Sequence, residues 1–194
     1  MHGDPLPYRS IFGEMKAYND SDVLTNWNAG NDEFHRIGFL MAAEIVAKHM
    51  LERRTGRELT VYPMLFCLRH FVELCCKRII AMGSLLGLSM KPLKHHDICE
   101  LWSEAREVID IAPFVDYKPT RDRIETFVAE LASVDERSTA LRYALQNGKP
   151  SLGDNAFKID LAAVVEHVDE TCRDLAEYAQ MMEAAWRRRR TGEP

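Results

Sequence analysis

Apolar residues in this chain return every three or four positions through five separate stretches, and almost nowhere do they alternate. Three-to-four spacing is the helical period, and a chain without the two-residue period cannot bury one face of a sheet. The first stretch, Asn31 to Arg54, carries Phe34, Ile37, Met41, Ile45 and Met50 as its expected apolar stripe, with Asn31 or Asp32 as cap and Gly56 as stop. The second, about Val61 to Leu86, has the broadest apolar face, from Leu65, Leu68 and Val72 to Cys75, Cys76, Ile79 and Ile80. Pro63 is expected in its first turn, where a missing N–H has no helical partner to lose. Asp97 caps a third stretch that runs to about Ala112, with Glu100 as capping-box partner. A fourth follows Thr120 to about Ser133 on Ile124, Phe127, Val128 and Leu131, and the last and longest spans Asp160 to Arg190. Between them, residues 135 to 154 mix charge with the turn formers Asn147, Gly148, Pro150 and Gly153, preceded by a short helical piece. The expected fold is all-α, an up-and-down bundle of four to five main helices over residues 31–190, preceded by an irregular N-terminal arm over 1–30.

A length of 194 residues suits one domain that buries roughly 70% of its unfolded surface. The net charge of −5 argues against broad nonspecific nucleic-acid binding and leaves room for a local basic site. Five cysteines without a CxxC pair read as reduced thiols. The opening MHGDPLPYRS has no apolar signal core, and no uncharged apolar run approaches the ~18 residues of a membrane span, so a cytoplasmic protein off the membrane is expected. Glycine-rich phosphate loops, a GxSxG elbow, Glu-x-x-His pairs and two His four apart are all missing from the sequence, so no cofactor and no metal are expected. His95, His96, Asp97 and Cys99 can be written as a metal cluster, but adjacent histidines diverge on regular backbone, and a loop-and-cap reading is preferred.

Four polar features stand out from the apolar frame. Arg69, Glu73 and Lys77 lie four apart on the most hydrophobic helix, with His70 beside them. On an exposed helix this is an ion-pair ladder; on a central one the stripe must face a groove, a partner or a buried network. His96 stands at a helix start, where capping or acid–base work are both open to it. Asp135, Ser138, Arg142 and Tyr143 form a charged run in which Arg142 and Tyr143 offer a planar fork and a stacking ring. Arg187 to Arg190 complement the negative end of the last helix.

The ordered set Arg69-His70-x-x-Glu73-x-x-x-Lys77, then His96 before Leu101-Trp102, then Asp135-x-x-Ser138-x-x-x-Arg142-Tyr143 resembles bacterial proteins of the HEPN-like helical class. The resemblance covers roughly residues 60 to 145. It implies a helical bundle, commonly a homodimer, that binds or processes RNA or nucleotides in phage defence, toxin–antitoxin or stress systems, with a partner protein such as an antitoxin. Some such domains are metal-independent ribonucleases and others are noncatalytic. The nuclease signature of an Arg followed four to six residues on by His occurs nowhere here. In the catalytic version His96 or His70 acts as base on a ribose 2′-hydroxyl, Glu73 holds Arg69 or His70 in position, Arg69, Lys77 and Arg142 meet the phosphate charge, and Asp135, Ser138 and Tyr143 help to bind the ligand. Two further readings stay open: a noncatalytic interaction module whose polar stripe fixes helix register, and a small-molecule sensor.

Overall fold

The helical period is realised in full. The computed structural model describes residues 32–88, 96–112, 120–135, 139–143, 145–150, 152 and 158–192. The chain divides into two compact units, Met1–Asp32 and Glu33–Pro194, and the expected arm lies outside the described residues. Helix α1 (Asp32–Glu52), α2 (Arg57–Leu85), α3 (Ile98–Ile111) and α4 (Arg121–Asp135) are followed by α5 (Leu161–His167), a π-turn (Val168–Cys172) and α6 (Arg173–Thr191). The last three form one continuous rod, since the residues at both junctions keep right-handed helical dihedrals.

Helix α2 is the centre. Its Leu68, Phe71, Val72, Cys75, Cys76, Ile79 and Ile80 are buried, and α3 and α6 pack along it, with α4 lying on α3 and on the π-turn. Long and apolar enough by composition to cross a membrane, α2 has half of its most hydrophobic stretch buried inside the bundle. Gly83 lets α3 come close, because a Cβ there would collide with Val108 Cγ1. Removing thirty or so apolar side chains from water is the dominant stabilising term, about 1.5–3 kcal/mol for each large one before chain entropy is set against it.

Local chemistry sets the helix ends. Gly56 takes a left-handed φ of 80° between α1 and α2, and the Arg57 guanidinium donates to the carbonyls of Met50, Leu51 and Arg53, the orphan acceptors at the end of α1. The Asp97 and Asp160 carboxylates accept from the N–H groups two and three residues on, capping α3 and α5.

The structure corrects three expectations. Helix α2 starts at Arg57, so Pro63 lies inside it rather than in the first turn; it deprives the Leu59 carbonyl of its helical donor on an exposed face, where water can replace it. The stripe on α1 is rotated: Arg36, Leu40, Ala43, Ala47 and Met50 face inward, while Phe34, Met41 and Ile45 face out, Ile45 at 63% exposure. Ala43 and Ala47 are fully buried, so the inward face of α1 is not its most hydrophobic one. The charged linker holds a short antiparallel ladder, β1 (Leu145–Gln146) with β2 (Lys149–Pro150), and the described residues 139–143 before it form a turn where a helical piece is expected. Asn147 and Gly148 both have positive φ, the turn that matches strand twist.

Candidate functional site

Arg69, Glu73 and Lys77 do share a face of α2, and that face is turned into the fold at one end and toward solvent at the other. Arg69 is completely buried. Its Nη1 donates to Glu73 Oε2 at 2.8 Å, its Nε to the Asp135 carbonyl at 2.7 Å, and its Nη2 to the His96 carbonyl. One guanidinium therefore ties the end of α4 and the residue before the α3 cap to the middle of α2. Glu73 Oε1 is shared by Lys77 Nζ and His96 Nδ1, both at 2.7 Å. Burial pushes the Glu73 carboxyl upward, but hydrogen bonds from Lys77, His96 and Arg69 outweigh it and carry it down to about 2. It is an anion at neutral pH, matched by cations on two sides.

Asp135 closes the other side. Its carboxylate accepts N–H bonds from Thr139, Ala140 and Leu141 at 2.8, 3.0 and 3.3 Å, which wraps the chain after α4 into a tight turn. The Thr139 carbonyl then accepts from Arg142 and Tyr143. The turn sets the Arg142 guanidinium 6.0 Å from the Phe66 ring centre and 5.5 Å from that of Tyr143. Phe66 stacks on His70 at 5.6 Å and 9°, and Phe39 of α1 meets His70 edge-on at 4.5 Å. Burial lowers the His70 pKa, and the charges of Arg69, Lys77 and Arg142 act the same way against Glu73.

Two layers result. Arg69, Glu73 and Asp135 are a buried brace. His96, Lys77, Arg142 and Tyr143 stand outside it, the His96 side chain at 65% exposure, with His70 and Phe66 half-buried between. The expectation that Arg69 and Asp135 face a ligand is thereby corrected: both are sealed from solvent with their polar atoms on backbone groups and on Glu73. Ser138 lies outside the described residues. What the outer layer can do follows from His96. With Nδ1 held on a carboxylate the neutral ring carries its proton there, which leaves Nε2 as the accepting nitrogen. Among the described residues no three His, Cys, Asp or Glu gather as metal ligands.

Sequence reasoning missed Phe39 and Phe66, whose ring contacts are tertiary, and missed a second charged centre altogether. Buried Glu183 of α6 accepts from Arg36 of α1 and Arg78 of α2, both at 2.8 Å, and from Arg187 at 3.4 Å. The one sequence signal was Arg36 standing in register with Leu40, Ala43, Ala47 and Met50, a cation on the small-residue face of a helix. Comparison with protein-family models, curated proteins and solved structures finds no match to this chain.

Proposed function

We propose that the chain is a HEPN-like domain that binds RNA or nucleotides on the outer layer formed by His96, Lys77, Arg142, Tyr143, His70 and Phe66. The observation that carries this reading is the exposed His96 ring oriented by the buried Glu73 carboxylate, beside a guanidinium laid between two aromatic rings. Cations would meet phosphate, the Tyr143 face would stack an unpaired base, and His96 Nε2 would take or give a proton. Arg69 and Asp135 would serve this surface as positioning residues.

Binding of a labelled 12-nucleotide single-stranded RNA and of mononucleotides, followed by fluorescence anisotropy and by thermal shift at low salt, tests the reading. Tyr143→Ala should weaken binding about tenfold, the effect of one lost base stack. His96→Ala should keep binding within about threefold and abolish any cleavage that the wild type performs. No saturable binding of RNA or nucleotide by folded wild-type protein would sink the proposal.

A second reading is favoured by Arg69 itself, whose guanidinium joins α2 to the ends of α3 and α4 as a register-fixing brace should. In that reading the protein is a noncatalytic module that pairs with a second copy or another protein, and the outward Phe34, Met41 and Ile45 of α1 supply apolar surface for pairing.

A further inference from the structure

Helix α1 carries a seam on its solvent side. Phe34, Gly38, Met41, Ile45, Lys48 and Glu52 follow one another at intervals of four, three, four, three and four, and all six are exposed. A narrow stripe of that period is the seam by which one helix pairs with another, whereas a helix seated on a core buries a broader face. The broad face of α1 is already buried against the bundle, from Arg36 to Met50. The outward seam is left with Phe34 and Met41 at 53% and Ile45 at 63% exposure. Of the nine large hydrophobic side chains exposed among the described residues, four lie on this one helix and three of those in the seam, so they do not scatter singly as on an ordinary monomer surface.

The seam fits a copy of itself. Laid antiparallel about a two-fold axis midway between positions 38 and 41, Phe34 comes opposite Ile45 of a second copy, and Gly38 opposite its Met41. No atom of the chain stands within 4 Å of where a Cβ on Gly38 would be, so the seam has a gap there, and flexible Met41 of the copy fills it. Charge obeys the same symmetry. From Asp32 to Arg54 the chain has four acids, Asp32, Glu33, Glu44 and Glu52, and four bases, Arg36, Lys48, Arg53 and Arg54. The segment is therefore neutral in a chain of net charge −5, and two copies do not repel along it. Two acids lead it and two bases close it. In the antiparallel register Lys48 of one copy comes within a turn of Asp32 and Glu33 of the other. The Lys48 bond to Glu44 and the Glu33 bond to Gln180 are both exposed, so a second partner can join them. Parallel pairing would set Asp32 and Glu33 beside their own copies and align the two helix dipoles.

We propose that α1 pairs with α1 of a second copy of this chain, antiparallel and two-fold symmetric, through Phe34, Gly38, Met41 and Ile45. This pairing rests on the second reading above for the use of the face, and commits the face to one partner. Closed two-fold symmetry stops the assembly at two chains. Neither His96 nor Tyr143 belongs to the seam, so pairing and RNA binding are separable.

Sedimentation equilibrium of the full chain across micromolar concentrations tests the pairing, with circular dichroism as the check on folding. The wild type should weigh as two chains. Ile45→Glu should raise the dissociation constant at least about 100-fold, because it puts a charge where two apolar side chains meet. Gly38→Leu should fill the gap and weaken pairing about tenfold, with the fold intact because nothing in the chain stands over that position. Leu85→Glu, at an exposed apolar residue on α2, should leave the dimer unchanged. Direction is read in a Cys67→Ser, Cys99→Ser background with a short bismaleimide. Met41→Cys should cross-link to its copy, and Lys48→Cys should not, since antiparallel copies of position 48 lie 17 residues, about 25 Å, apart along the axis. A monomeric wild type would overturn the proposal and leave the second reading to an unlike partner. A dimer that survives both Ile45→Glu and Gly38→Leu would overturn it by placing the contact on another face, and a cross-link at Lys48→Cys would overturn the antiparallel arrangement.

Discussion

Glu73 and Glu183 are both buried carboxylates on central helices, and both are shared by three positively charged or chargeable side chains. Around Glu73 the deepest cation, Arg69, uses every guanidinium nitrogen, two of them on backbone carbonyls of other elements. Around Glu183 the deepest cation, Arg36, uses one nitrogen and leaves two without an acceptor among the described residues. Saturation makes the first centre part of the architecture, with chemistry confined to its exposed margin. The second centre is left incomplete at its deepest cation.

The contrast can be broken most easily at Arg69. Arg69→Met removes a cation from Glu73 and strands two buried carbonyls, and a loss of about 3–5 kcal/mol is expected, near 10 °C in melting temperature, read from denaturant and thermal unfolding. A loss below about 1 kcal/mol would show that the brace is not what holds α3 and α4 on α2.

Acid should act on the same centre. Glu73 ionises at about 2 in the fold against an ordinary 4.5, so its stabilisation is fully present above pH 4.5 and is lost as pH falls from 4.5 toward 2. By linkage this amounts to at most about 3 kcal/mol. Unfolding free energy measured from pH 6 to pH 2 should fall through that window in the wild type and show a shallower slope in Glu73→Gln. Parallel slopes would mean that the carboxylate is not held as described.

The smallest effect sharpens the comparison most. Arg36→Met removes three unanswered donors and one ion pair, while Arg78 and Arg187 continue to neutralise Glu183. Its stability should stay within about 1 kcal/mol of wild type, since an apolar replacement of a buried ion is often neutral. A loss as large as that of Arg69→Met would make the two centres equivalent.

The fold was legible because burial by helices leaves a three-to-four period, and Asp97 and Asp160 announced two helix starts by chemistry that acts over three residues. The stripe Arg69, Glu73, Lys77 was legible for the same reason: its contacts are four residues apart on one helix. His96 and Asp135 came into view through resemblance, and the residues do meet, but spacing could not say that Arg69 and Asp135 would end up sealed while His96 stayed open. Exposure depends on which loops cross the helix face. The pairing of Arg36 with Glu183 spans 147 positions, so no local spacing announces it. On α1 the small residues Ala43 and Ala47 take the interior and the more hydrophobic Met41 and Ile45 face outward, so hydrophobic spacing alone points to the wrong face.

The π-turn at Val168–Cys172 sets the phase of everything that follows it on the rod. It admits one more residue than a regular turn, and one residue is about 100° of rotation. Rewinding the same residues as regular α-helix would turn the rod beyond them by about that angle and swing Tyr178 off Thr120 and Glu183 off its arginines, whereas excising one position would keep the phase. One surplus residue thus keys the azimuth of a helix whose far end carries the carboxylate that gathers Arg36, Arg78 and Arg187.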